Sequence, residues 1–267
     1  MEPQPASWSR YYAERFGHES VVANYGHRPP YPPEFIALLA ESAHGGVVLD
    51  AGTGPGDVAR PLAPLVERVD AVDLAASMVE AGQAREGGDR PNIRWIVGPI
   101  EEVDLDPPYD LIVTAASIHW FDWQLVMPRF REVLARGGLL AVAVRDWFAD
   151  SQVREFLIPV YQEFSTIDRF VAADPVSELE ARGLFRRVRD AAVDAPWRPT
   201  IDEIIGCHHS QNGFAPQSMS ADSLVAFDRR LAEVFADLAE RGVVETEDGR
   251  FSLKVRAHVT WGELPRR

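Results

Sequence analysis

The chain has 267 residues with 27 basic and 41 acidic side chains, a formal net charge of −14, and is 46% hydrophobic. That length holds one α/β domain with a sizeable core plus an insertion or small cap, and is cramped for two full domains. The negative field repels nucleic acid phosphates and anionic membrane, and Cys207, the single cysteine, excludes an intrachain disulfide framework and a thiolate metal cluster and fits a reducing cytoplasm.

The first stretch, Met1 to Arg10, carries charge, proline and tryptophan rather than the apolar run of a signal peptide, and no later stretch approaches the length of a membrane span. An aromatic, proline-rich leader follows from Trp8 through Tyr11, Tyr12, Phe16 and Tyr25 to Arg28-Pro29-Pro30-Tyr31-Pro32-Pro33, a composition that excludes a central strand. From Val47 to Val144 apolar runs alternate with amphipathic or alanine-rich stretches, which predicts a parallel sheet with helices on both faces. Strands are expected at 47–50, 69–73, 93–97, 110–115 and 139–145, with helices at about 57–65, 76–85 and 124–135. Pro61 is a local defect in the first helix, Asp73 or Ser77 can cap the second, and Gly137-Gly138 stops the third. Beyond these, helices are expected at 150–165, 174–182, 201–209 and 221–240, a sixth strand at 185–193 and an alternating edge strand at 251–261.

The first strand runs into Asp50-Ala51-Gly52-Thr53-Gly54-Pro55-Gly56-Asp57, a glycine turn in which backbone without Cβ can meet a ligand directly. A dinucleotide fold wants glycine where Asp57 stands, and a carboxylate there would repel a pyrophosphate. The turn therefore fits a ligand with no phosphate and a positive centre, such as S-adenosylmethionine, although a tight turn without a ligand is the plain alternative. Asp73 ends the second strand, where its carboxylate can accept both ribose hydroxyls of an adenosine. After the third strand, Gly98-Pro99-Ile100-Glu101 offers the Ile100 amide and an acid to an adenine edge, or is a surface turn with a helix-capping glutamate. The fourth strand runs through Ala115-Ala116-Ser117 into His119-Trp120-Phe121-Asp122, where small residues admit a ligand and the aromatic cluster meets it.

Taken together, these segments resemble the class I S-adenosylmethionine-dependent methyltransferases, in particular the small-molecule branch with trans-aconitate methyltransferase-like proteins. The matching pieces are Asp50 to Gly56, Asp73 with Met78, Gly98 to Glu101, His119-Trp120-Phe121, Leu134 to Gly138, and the Arg28-Pro29-Pro30-Tyr31-Pro32 leader. The likeness covers residues 25–145 well and the rest in outline. It implies an α/β fold: a doubly wound, mostly parallel, Rossmann-like seven-stranded sheet whose last strand is antiparallel and inserted beside the fifth. The expected organisation is one domain over 1–267, with an N-terminal cap (1–35), a cofactor-binding core (36–147), a helical acceptor-side region (148–250) and the last strand (251–261). By the same resemblance Gly52 and Gly54, with Ala51 and Thr53 between and beside them, lie under the methionine portion and Asp73 holds the ribose. Leu74 and Met78 flank the adenine, Ile100 and Glu101 meet its edge, and Ala115 approaches the sulfonium. Relatives often carry an acid or amide where this chain has Pro99, which offers no amide hydrogen.

Methyl transfer needs placement and a dry pocket more than covalent help. Tyr12, Tyr25, Trp120, Trp147 and Trp197 are candidate walls for a sulfonium, or core aromatics. His119 is the candidate base for a hydroxyl or enolisable carbon acceptor, the alternative being that it only packs. Arg28 can reach the methionine carboxylate or an acidic acceptor, or is a surface arginine. His208 and His209 cannot readily chelate one metal from neighbouring helix positions; one facing solvent and one facing a pocket is the expectation, with Ser210, Gln211 and Asn212 as a polar acceptor site. The expected activity is methylation of a small molecule at oxygen or carbon. Rival readings are an S-adenosylmethionine-binding regulator or cyclase, and an NAD-dependent oxidoreductase, disfavoured by Asp57 and by Lys254 being the only lysine. That lysine poverty against abundant arginine fits a GC-rich coding sequence and a natural-product pathway.

Overall fold

The computed structural model describes residue 8 and residues 13–167 and 174–265; Tyr11 and Tyr12 lie outside them. Seven strands form one sheet in the order β3-β2-β1-β4-β5-β9-β6. Their ranges are β1 Val47–Ala51, β2 Arg68–Asp73, β3 Ile93–Val97, β4 Tyr109–Ala115, β5 Leu134–Asp146, β6 Arg186–Trp197 and β9 Leu253–Glu263, with a two-residue hairpin, β7 and β8, at Thr246–Glu247 and Arg250–Phe251. Strands β1 to β5 are parallel, and β9 runs antiparallel between β5 and β6. This is the doubly wound, Rossmann-like arrangement expected from the sequence.

Strand periodicity explains why both faces are covered. Successive side chains point to opposite faces, so Val48, Leu111 and Ala141 join one core while Leu49, Ile112 and Leu140 join the other. The first face is covered by a helix at Pro33–Ser42 through Phe35, Ile36 and Leu39. The second is covered by Trp123–Val133 through Trp123, Val126, Met127 and Phe130. A separate apolar cluster joins Ser151–Phe164, Ile201–His209 and the long helix Ala221–Glu240, in which Phe227, Leu231, Val234, Phe235 and Leu238 are buried at helical spacing.

Three expectations are corrected. The helix after the glycine turn is only Ala59–Leu62, followed by a 3-10 turn at Ala63–Leu65, because Pro61 and Pro64 each lack the amide hydrogen a longer helix needs. The helix at Trp123–Val133 ends before the glycine pair; Leu134 already pairs with Tyr109, and Gly137 turns within the extended connection at φ +85°. The last strand is not an edge: β6 is. Alternation of Val255, Ala257, Val259 and Trp261 reports one buried face and says nothing about neighbours in the sheet. Among the described residues no helix is long and apolar enough to cross a membrane.

Trp261, 1% exposed, fills the first core from β9, with the Arg189 guanidinium 4.4 Å above its ring. Trp261→Ala is expected to destabilise the chain by about 3–5 kcal/mol, read as a lower urea midpoint at unchanged slope.

Candidate functional site

The strand order reverses between β1 and β4, and the carboxyl ends of β1 to β4 converge there. Gly52 and Gly54 take φ of +72° and +56°, which glycine adopts without a Cβ penalty. A Cβ on Gly52 would lie 2.5 Å from Ser117 Cβ, so the turn is packed directly against the end of β4. The Ser117 hydroxyl donates to the Ala51 carbonyl at 2.6 Å, holding the two strand ends together. The Gly54 amide donates to Asp73 Oδ2 at 2.7 Å and the Ala75 amide to Oδ1 at 2.9 Å. Burial raises the Asp73 pKa, and these two bonds pull against that rise. The carboxylate is thus fixed in place with lone pairs left over.

Beside it lies a cavity of about 450 Å³, a size that suits a small-molecule ligand. Of the residues expected at the site, Gly52, Asp73, Leu74, Ile100, Glu101 and Trp120 line it. Ala51, Thr53 and Gly54 build the turn behind the lining, and Ala115 ends β4 against the first core. Met78 packs under the leader with Val21 and Ala215. Pattern reading missed Trp8, Gln124 and Leu125 in the lining. Asp122 is the signal for the last two: its side chain caps the helix by accepting from the Gln124 amide at 2.9 Å, which aims the first turn at the strand ends. Glu101 Oε1 accepts from the Asp122 amide at 3.0 Å, joining the loop after β3 to that cap.

His119 is absent from the lining. Its ring lies 5.8 Å from Trp8 and 4.3 Å from Trp120, and burial pushes its pKa down to about 4. Trp197 packs on Phe148 in the helical region's core. Tyr25 covers the glycine turn, its hydroxyl 3.2 Å from where a Gly54 Cβ would stand. Arg28 lies 3.8 Å from the centre of the Tyr25 ring and 5.0 Å from that of Trp147, and donates to the Ser210 hydroxyl at 2.7 Å and to the Ser210 carbonyl. It therefore ties the leader to the helical region from outside the cavity lining.

Two polar expectations change. Both His208 and His209 are buried, neither facing solvent. His208 contacts the Tyr161 hydroxyl at 2.9 Å and the Ile204 carbonyl at 2.8 Å; His209 contacts the Phe214 carbonyl at 2.9 Å and Asp228 at 2.8 Å. With Ser210 and Asn212 buried as well, this segment is an internal polar network rather than an open acceptor pocket. Asp57 does not start a helix. It receives Arg145 at 3.2 Å, Arg60 at 3.4 Å and Arg85 at 3.8 Å, so its charge is matched and its repulsion of a phosphate is largely cancelled.

Residues 48–138 match a family described as Methyltransferase domain. The chain is 27% identical over 135 residues to malonyl-acyl-carrier-protein O-methyltransferase 1 of Ilyobacter polytropus, covering 49% of this chain and 50% of that protein. It is 28% identical over 214 residues to methyltransferase cfoB of Aspergillus candidus, covering 72% of this chain and 65% of that protein. The alignments thus span between half and two thirds of these relatives' lengths. A solved structure of a protein assigned as a type II methyltransferase from Anaeromyxobacter dehalogenans superposes with a TM-score of 0.64 at 21% identity, over 90% of this chain and 99% of that one.

Asp50, 1% exposed, accepts the Thr53 hydroxyl at 2.6 Å, and burial raises its pKa to about 7 against that bond. The folded chain therefore keeps this proton up to about pH 7, while the unfolded chain releases it near pH 4. Stability from this group is full below about pH 4 and is lost as pH rises to about 7. Asp50→Asn should accordingly gain stability relative to the parent between about pH 4 and about pH 7 in urea titrations. A parent that gains on the variant over that range contradicts the buried, protonated carboxyl.

Proposed function

We propose that this chain is a class I S-adenosylmethionine-dependent methyltransferase and that it methylates a small-molecule acceptor, at oxygen or carbon. The observation that carries this is the cavity at the switch point, lined by bare Gly52 backbone and by the Asp73 carboxylate that the neighbouring Gly54 amide anchors. The residues fit the cofactor: the carboxylate has lone pairs for two hydroxyls, Leu74 and Ile100 are apolar walls for a flat base, and Gly52 lines the cavity with bare backbone. The cofactor, when bound, supplies a methyl group already activated by its sulfonium.

On this reading Asp73 accepts the ribose hydroxyls, while Gly52, Thr53 and Gly54 present backbone to the methionine portion. Asp50 supports the turn from below through Thr53. Trp120 closes the aromatic side, and Ala115, being small, leaves space at the end of β4. Tyr25 and Arg28 roof the glycine turn, Arg28 acting through the Tyr25 ring. His119 is assigned a packing role rather than proton transfer, because its ring packs against Trp8 and Trp120 outside the cavity lining and its pKa of about 4 makes it a weak acceptor of protons at neutral pH. The relative named for O-methyl transfer favours oxygen as the accepting atom. The net charge of −14 argues against a nucleic acid acceptor, and the lone cysteine fits a cytoplasmic setting.

Transfer of label from methyl-labelled S-adenosylmethionine to a panel of hydroxyl, carboxyl and enolisable carbon acceptors tests the proposal. Labelled product with release of S-adenosylhomocysteine is expected; tight cofactor binding with no product on any acceptor would instead support a binding protein. Asp73→Ala should weaken cofactor binding by about tenfold or more, since it removes a charged acceptor and frees the Gly54 amide. His119→Phe is expected to hold kcat within about threefold, whereas a loss of about a hundredfold with unchanged affinity would restore the role of base.

A further inference from the structure

We propose that the side-chain amide of Gln124 reads the adenine edge, a specificity-determining contact that rests on the cofactor reading above. The base presents an amino donor at C6 beside a ring acceptor at N1, so a matching group must accept and donate at once. The loop after β3 cannot meet that demand with its side chains. Pro99 has no amide hydrogen, and Glu101, which takes the Asp122 amide at 3.0 Å, and Glu102 are carboxylates that accept without donating. Asp122, which caps the helix through the Gln124 amide at 2.9 Å, likewise accepts without donating. The indoles of Trp8 and Trp120 only donate. Among the described residues, Gln124 is the one side chain in the cavity lining that carries both a donor and an acceptor on a single planar group.

Its position is fixed from below rather than by the ligand. Trp123 is buried at 1% exposure with its indole N–H on the Ile118 carbonyl at 2.7 Å, and the Asp122 cap sets the helix start, so the next residue projects into the cavity. The neighbouring Leu125 supports the same placement. It is 59% exposed although apolar, and it lines the same cavity, where it would cover a face of the base. An apolar cover and a bifunctional amide on consecutive residues suit a flat heterocycle with a polar edge.

The test is a ligand-by-variant cycle measured by calorimetry. The full chain and its Gln124→Leu variant are each titrated with S-adenosylhomocysteine and with the analogue whose base is purine, lacking the 6-amino group. The parent is expected to prefer the adenine compound by about tenfold and the variant to bind the two within about twofold, as loss of a bidentate base contact requires. A tenfold preference retained by Gln124→Leu, or a parent with no preference, overturns the assignment while leaving the cofactor reading intact. A parent that binds neither compound overturns the cofactor reading and the assignment with it. Gln124 is solvent-exposed, so the variant should unfold at the parent's temperature.

Discussion

The hydrogen bond from the Gly54 amide to Asp73 joins the turn after β1 to the end of β2, and the geometry of the site depends on it. It is made possible by the positive φ of Gly54, +56°, and by Asp73 being the last residue of its strand. With the Ala75 amide on its other oxygen, the carboxylate is oriented before any ligand arrives. Preorganisation of this kind lets a ligand hydroxyl bind without first ordering its partner. The Ser117 bond to the Ala51 carbonyl does the corresponding job between β1 and β4.

Charge is managed differently on the two sides of the glycine turn. Asp50 is buried under it with a neutral hydroxyl as its partner and is pushed toward the protonated form. Asp57, just beyond, is held by three guanidinium groups. The most buried of these, Arg145, also donates to the Pro29 carbonyl and lies 4.3 Å from the Tyr31 ring centre. The end of β5, the loop and the leader are therefore joined by one cation. Arg28 repeats the pattern on the other side, linking the leader to Ser210 in the helical region. These contacts explain why a proline-rich segment with no regular strand is nonetheless held against the glycine turn and the helical region.

Much of the sheet was legible in the sequence because parallel strands buried on both faces read as continuous apolar runs, and the glycine turn marks where the first of them ends. The antiparallel insertion of β9 came from the resemblance rather than from its own alternation, which fixes a face but not a place. Prolines 61 and 64 cut a helix that spacing alone extended. In the cavity lining, Gly52 and Asp73 were predictable from their place at strand ends, whereas Leu74 came from the resemblance. Gln124 and Leu125 were not, since they read as ordinary surface positions of an amphipathic helix until its capped start is seen to face the cavity. His208 and His209 were misplaced for a related reason: helical spacing separates two neighbours, but here the aromatic cluster of the helical region closes over both.

Calorimetric titration of the purified chain with S-adenosylmethionine, S-adenosylhomocysteine and NADH distinguishes a sulfonium-bearing adenosine from a dinucleotide as the occupant of this cavity. Micromolar binding of the first two and none of the third is expected. Binding of NADH alone, or of none of the three, would mean that the glycine turn and Asp73 serve another ligand.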